Sequence, residues 1–214
     1  MPKPPRPPRN IDDSIADALD RIEDLKLNGQ HEESIKEAQK LLFNDPDCVA
    51  ALEEVADNYV SLDEYEKAIR ACHRALSLDS KSFIAHYILG FIDSQHQDWE
   101  VAIQHLKISN DLHPNNPEIL RCLGWALFNG DKRTQGLVIL ERALNLDTEN
   151  SLTLCDLGIC HLQVKNFDKA MDLLKKAIEI DPDNKRIQDC LNAAQHFHER
   201  FANMKKESRP RRAK

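Results

Sequence analysis

Residues 151–184 read SLTLCDLGICHLQVKNFDKAMDLLKKAIEIDPDN. Leu154, Leu157, Gly158 and His161 recur at three- and four-residue steps, as do Ala170, Leu174 and Ala177 further on. Such steps mark the buried stripe of a helix. Val164-Lys165-Asn166 breaks the pattern between the two runs, and Pro182 closes the second. The stretch reads as a helical hairpin with small residues where its arms meet.

The pattern recurs without insertion or deletion in residues 15–48, 49–82, 83–116, 117–150 and 151–184. Position 8 of this 34-residue frame holds Ile22, Ala56, Gly90, Gly124 and Gly158; position 20 holds Ser34, Ala68, Ala102, Gly136 and Ala170. Position 24 holds Ala38, Cys72, Leu106, Leu140 and Leu174, and position 27 holds Leu41, Ala75, Ser109, Ala143 and Ala177. Position 32 is Pro46, Ser80, Pro114, Thr148 and Pro182. The order of these residues resembles the tetratricopeptide repeat (TPR), whose period is also 34. The resemblance implies an all-α protein, a right-handed α-α superhelix or TPR solenoid.

On that reading the first helix of each unit covers about positions 1–14 and the second about 18–31. Asn28-Gly29, Asn129-Gly130 and Val164-Lys165-Asn166 supply the turns, and Tyr65, Trp99 and Phe167 wedge the second helix against the first. Repeat 1 departs most, with Ile22 at the small position and Arg21 where the others carry Leu or a similar residue. Repeat 4 is expected to be soft: Gly136 inside its second helix costs roughly 1 kcal/mol against Ala, and Arg133 replaces its wedge ring. The repeats lie in a domain spanning 11–204. Its last segment, 185–204, is a capping helix with Ile187, Leu191, Ala194 and Phe201 on one stripe.

The ends differ from the body. Residues 1–10 are half proline and are expected to be a disordered Pro/Arg-rich tail. Pro4-Pro5-Arg6-Pro7-Pro8-Arg9 also fits the P-x-x-P-x-R form that SH3-like domains read, though a solvated tail is the plainer reading. Residues 205–214 are expected to be a disordered basic tail. Removing the +3 of residues 1–9 and the +5 of residues 205–214 from the net −7 leaves −15 on the body. An acidic body makes nucleic acid an unlikely partner, because phosphate binding needs positive charge on the folded surface.

No apolar run approaches the roughly 20 residues of a membrane helix, and Met1-Pro2-Lys3-Pro4-Pro5-Arg6 is no secretory leader. Six cysteines without a CxxC pair fit a reducing compartment, the cytoplasm, with the nucleus as the alternative. No enzyme motif, cofactor motif or metal-ligand spacing is present. His196 and His198 diverge around a helix, as do Cys155 and Cys160, while Cys72 and Cys160 read as small buried hydrophobes. Cys122 and Cys155 fall on neighbouring first helices, where the two thiols could approach.

In the family, positions 2, 5, 6, 9, 12 and 13 of the first helices line a concave groove. By resemblance, that groove is acidic at one end, with Asp20, Glu23, Glu53, Glu54 and Asp57. Ile84, Tyr87, Ile88 and Phe91 make it apolar in repeat 3; Arg121, Trp125 and Phe128 follow in repeat 4, and Leu152 and Ile159 in repeat 5. A plainer reading packs some of those rings between neighbouring first helices. The carboxylate clamp for Hsp90 and Hsp70 tails is excluded, since its Lys, Asn and Arg positions hold residues such as Glu53, Asp57, Ile88, Glu118 and Cys122. The expected function is a non-catalytic interaction module, adaptor or chaperone-like, for an amphipathic peptide with a basic flank. The alternative is a self-assembling scaffold, a homo-oligomer whose basic tails dock on the acidic groove.

Overall fold

The computed structural model describes residues 11–207, with side chains from 15 to 200. Among them there are eleven helices and no strand, and no helix is long and apolar enough to cross a membrane. The helices divide into two compact units at His113/Pro114. The first holds α1 (Ile11–Leu27), α2 (His31–Asn44), α3 (Val49–Ser61), α4 (Tyr65–Leu78), α5 (Phe83–Gln95) and α6 (Trp99–Leu112). The second holds α7 (Pro117–Asn129), α8 (Arg133–Leu146), α9 (Ser151–Gln163), α10 (Phe167–Ile180) and α11 (Lys185–Glu207). First helices α3, α5, α7 and α9 have 13 residues, and every second helix from α2 to α10 has 14. The second helices therefore begin at position 17, on the wedge residue itself. The expected tail at 1–10 lies outside the described residues, and so do the side chain of Phe201 and residues 208–214. The backbone of 205–207, expected to be disordered, continues α11.

Small residues set the spacing within each hairpin. Ala38, Cys72, Leu106, Leu140 and Leu174 are all fully buried at position 24, and Ile22 and Ala56 at position 8 are equally sealed. A Cβ added to Gly90 would lie 2.6 Å from the Leu106 Cγ, and one added to Gly124 or Gly158 would lie 2.7 Å from the Cγ of Leu140 or Leu174. The pairs are complementary in volume: Ile22 faces a repeat with Ala38, Ala56 goes with Cys72, and glycine goes with leucine thereafter. Interiors at crystal-like density leave no slack for any other combination.

Gly136 corrects the expectation of a soft fourth repeat. Its Cβ would lie 2.6 Å from both the Gly124 carbonyl oxygen and the Phe128 nitrogen, so α7 and α8 meet there backbone to backbone. The missing ring is also replaced, because the Arg133 guanidinium sits 5.8 Å over the centroid of Phe128.

The turns follow one rule that the glycines only partly announce. Position 15 is left-handed in every repeat, at Gly29 (φ 72°), Asp63 (57°), Gln97 (66°), Asp131 (63°) and Lys165 (61°). The next residue's N–H reaches back five residues, as from Gln30 to the Leu25 carbonyl at 2.9 Å and from Asn166 to that of His161 at 2.9 Å. This Schellman closure satisfies carbonyls that the helix end would orphan. In repeat 4 the expected Asn129-Gly130 turn is displaced by one residue: Gly130 has φ −84° and Asp131 takes the left-handed position. Position 34 of repeats 2, 3 and 4 then caps the following first helix, whereas Cys48 in repeat 1 makes no side-chain cap. Ser82 accepts from the Ala85 N–H, Asn116 from Glu118 and Ile119, and Asn150 from Thr153.

In the second unit α11 lays Ile187, Leu191 and Ala194 against Leu154, Leu174 and Ala177. Cys155 of α9 lies beside Cys190 of α11, so the last helix brings it a sulfur neighbour. Burial pushes the Cys155 thiol up to about 12. His161 is buried, and neither ring nitrogen has a hydrogen-bond partner.

Gly136→Ala is expected to destabilise the chain by about 2 kcal/mol through overpacking, despite the roughly 1 kcal/mol that alanine gains in an open helix. Chemical denaturation reads the sign, and a raised midpoint would contradict the close approach. His161 supplies a pH test. Burial first, and then Lys169, lower its pKa in the folded state. Its contribution is therefore full above the unfolded value of about 6.5 and is lost as pH falls through the folded value. His161→Phe should flatten the decline in melting temperature between pH 7 and 5 relative to the unsubstituted chain; parallel curves would show that His161 titrates without consequence.

Candidate peptide-binding surface

In the first unit α3 packs beside α1 on one side and α5 on the other, which sets three first helices in a row. Glu53 and Asp57 on α3 hold the same repeat positions as Tyr87 and Phe91 on α5. Helical periodicity puts Ile84, Tyr87 and Phe91 on one stripe of α5. All three are partly exposed and pack against the unit's core. Ile88, expected in the groove, is only 2% exposed and belongs to that core. Ile88 is one residue, about 100° of helix, round from Tyr87, on the side of α5 that faces the core.

The carboxylates are not bare. Lys26 of α1 reaches across to Glu54 Oε2 at 2.7 Å and Asp57 Oδ2 at 3.1 Å. Burial opposes the charge on Lys26, but the hydrogen bond to Glu54 and the pull of Asp57 outweigh it and hold its pKa above the usual lysine value. Ser82 donates its hydroxyl to Glu53 Oε1 at 2.5 Å. Burial raises the Glu53 pKa, against the lowering effect of that hydrogen bond. Beneath them, His31 Nδ1 and Asn58 Oδ1 lie 2.9 Å apart, and Asn58 donates to Ser34 Oγ at 3.0 Å. Ser34 in turn donates to the Ile22 carbonyl at 2.9 Å. Lys26 is the residue of this surface that the sequence reading missed; its position 12 is one of those the resemblance assigns to the groove, and a cation there faces the acids of the next helix.

The second unit differs. Arg121 donates from Nε to Glu118 Oε2 at 2.9 Å and from Nη1 to Asp156 Oδ2 at 2.7 Å. Arg186 of α11 approaches Asp156 Oδ1 at 3.6 Å. Burial pushes the Asp156 carboxyl up while Arg121 and then Arg186 pull it back. Arg121 thus ties α7 to α9 through a buried carboxylate, and its charge is already spent within the fold. Phe128, another expected groove ring, is 1% exposed in a cluster with Leu140, Leu157 and Cys160, against which Trp125 packs partly exposed. Leu152 is 42% exposed, and Ile159 is partly buried against the last helices.

Charge separates the units more sharply than shape. Residues 15–113 carry 20 Asp and Glu against 9 Lys and Arg, a net of −11; residues 114–200 carry 13 against 11, a net of −2. The acidic character read from the body therefore belongs to the first unit. Among the described residues no group of three or more His, Cys, Asp or Glu is placed to hold a metal ion.

The tetratricopeptide-repeat family matches residues 19–83 and again residues 151–184. The chain is similar to the BBSome complex member BBS4 of Bos taurus, 27% identical over 162 residues, which cover 75% of this chain and 31% of that protein. Among solved structures it is similar to a chain of the APC/C hetero-tetramer Cut9-Hcn1, with TM-score 0.78 and 20% identity over 85% of this chain and 36% of that one. It is also similar to YrrB, described as a TPR protein with an unusual peptide-binding site, with TM-score 0.58 and 21% identity over 80% of this chain and 89% of that one. The chain thus spans about a third of the length of BBS4. Proteins of this repeat generally mediate protein–protein interactions, and the repeat fold is typically a non-catalytic module. With its helical pairs in a 34-residue frame, its all-α repeat fold of the superhelical class and two family matches, the chain belongs to the tetratricopeptide-repeat family.

Proposed function

We propose that the chain is a non-catalytic adaptor that binds a basic, amphipathic protein segment along the first helices of its first unit. The observation carrying this reading is the row of Glu53, Glu54 and Asp57 on α3 beside partly exposed Ile84, Tyr87 and Phe91 on α5, within residues 15–113 of net charge −11. Apolar side chains of the segment would rest on the α5 stripe, and its Lys or Arg residues would meet the α3 carboxylates. Charge of this kind selects partners and speeds encounter more than it adds affinity. On the second unit, Trp125, Leu152 and Ile159 offer further apolar contact to a partner. A relative named as a complex member, and a neighbour described as having a peptide-binding site, support an assembly role and a peptide ligand. We place the protein in the cytoplasm, a reading that its free thiols support.

Self-assembly is the second reading, favoured by the +5 on residues 205–214 against the −11 of residues 15–113. Removing 205–214 and measuring mass in solution at low and high salt separates the two. Tail docking predicts a smaller, salt-insensitive species after removal.

Lys26 gives the peptide reading a test with an unusual sign. Lys26→Gln releases Glu54 and Asp57 and should tighten binding of a fluorescent Lys/Arg-bearing amphipathic peptide severalfold at low salt. Tyr87→Ala with Phe91→Ala should weaken it at least tenfold, with circular dichroism verifying the fold. Unchanged anisotropy titrations for both variants would refute the surface.

A further inference from the structure

The last helix continues the repeat frame. Counted on from residue 184, Lys185 is position 1, where α3, α5, α7 and α9 also begin. Ile187, Leu191 and Ala194 fall at positions 3, 7 and 10 and are buried, so α11 docks as the first helix of another unit would. That register decides which side chains meet. Arg121 at position 5 of α7 reaches Asp156 at position 6 of α9, with Nη1 and Oδ2 2.7 Å apart. One unit further on, position 5 is Cys155 and position 6 is Cys190. Both pairs are 35 residues apart, and Cys155 lies beside Cys190 as Arg121 lies beside Asp156. Cys155 is 2% exposed in the cluster that Ile187, Leu191 and Ala194 complete, and Cys190 packs half-buried against that cluster.

Two short side chains that meet across neighbouring helices need little rotation to reach the Cβ separation of about 3.8 Å that a disulfide requires. We propose that Cys155 and Cys190 form a reversible disulfide that fastens α11 to α9 when the chain meets a small disulfide oxidant such as oxidised glutathione. Exposure sets the order of events. The more accessible Cys190 thiolate attacks one glutathione sulfur, forming a mixed disulfide on Cys190 and releasing one glutathione thiolate. Cys155 then gives up its proton and attacks the Cys190 sulfur; the bond to glutathione breaks and a second glutathione thiolate leaves. Two cysteine thiols are oxidised, and one glutathione disulfide is reduced to two thiols. Closure is the slow step, because burial keeps the Cys155 thiol protonated. The bond closes a loop of chain that contains all of α10, and such a cross-link stabilises a fold mainly by restricting the unfolded chain. It would hold α11 on Leu154, Leu174 and Ala177. Both cysteines lie in the second unit, so the bond forms whether or not the first unit binds a peptide.

The test incubates the full chain with oxidised glutathione, quenches it with acid, and maps the cysteines by mass spectrometry after proteolysis. The expected product is a Cys155–Cys190 cross-link that dithiothreitol reopens, in a chain whose melting temperature is at least about 5 °C higher. Cys190→Ala should abolish both the cross-link and the temperature gain. Cys155→Ala should stop the reaction at the mixed disulfide on Cys190, with circular dichroism verifying the fold; if that variant unfolds, Cys190→Ala decides alone. Glutathione retained on Cys190 beside a free Cys155 thiol, in the unsubstituted chain, would show that the sulfurs cannot meet and would overturn the proposal. So would a cross-link from Cys155 to Cys122 or Cys160 in place of Cys190.

Discussion

The spacing between the two arms of each hairpin is the constraint from which the rest follows. Position 8 on the first arm and position 24 on the second share one volume, and the chain fills it in different ways. Ile22 is matched by Ala38, Ala56 by Cys72, and Gly90, Gly124 and Gly158 by leucines. Every non-glycine member of these pairs is sealed from solvent. Because the arms approach so closely, the side chains that decide the fold are few and small. Gly136 takes this furthest, where backbone meets backbone.

A fold secured by its inner seam leaves outward positions of the first helices free to carry chemistry. Position 5 is Leu19, Glu53, Tyr87 and Arg121 in successive repeats, with no residue type repeated, until α11 covers it at the buried Cys155. In the first unit this freedom gives carboxylates and rings on adjacent helices, with Lys26 holding two of the acids. In the second, it gives the Arg121–Asp156–Arg186 network, which spends its charge on holding α7, α9 and α11 together. A buried ion pair of that kind is weak evidence for net stability, but removing one partner strands the other.

Much of the fold could be read from the chain because a 34-residue period is a local property repeated five times. Positions 8, 20, 24 and 27 needed no partner to be recognised as inward-facing. Readings that depended on a neighbour were less secure. Gly136 was weighed by its helix propensity alone, which cannot register the carbonyl of Gly124 against it. Gly130 looked like the turn residue, yet the closure falls at Asp131, as it falls at Gln97 and Lys165 where no glycine signals it. Ile88 and Phe128 shared the periodicity of an exposed stripe but are buried, since periodicity gives a face and not the identity of what covers it. Lys26 and the contact of Cys155 with Cys190 join residues 28 or more apart, beyond the reach of any single helix pattern.

A double-mutant cycle at Gly90 and Leu106 tests the volume constraint most directly. Gly90→Ala with Leu106→Cys rebuilds in the third repeat the pair that Ala56 and Cys72 form in the second. Each single substitution should destabilise the chain by about 1–3 kcal/mol, the first by overpacking and the second by leaving a void. Shared volume predicts that the double variant recovers at least about 1 kcal/mol of the summed loss. Strictly additive losses in denaturant unfolding would contradict it.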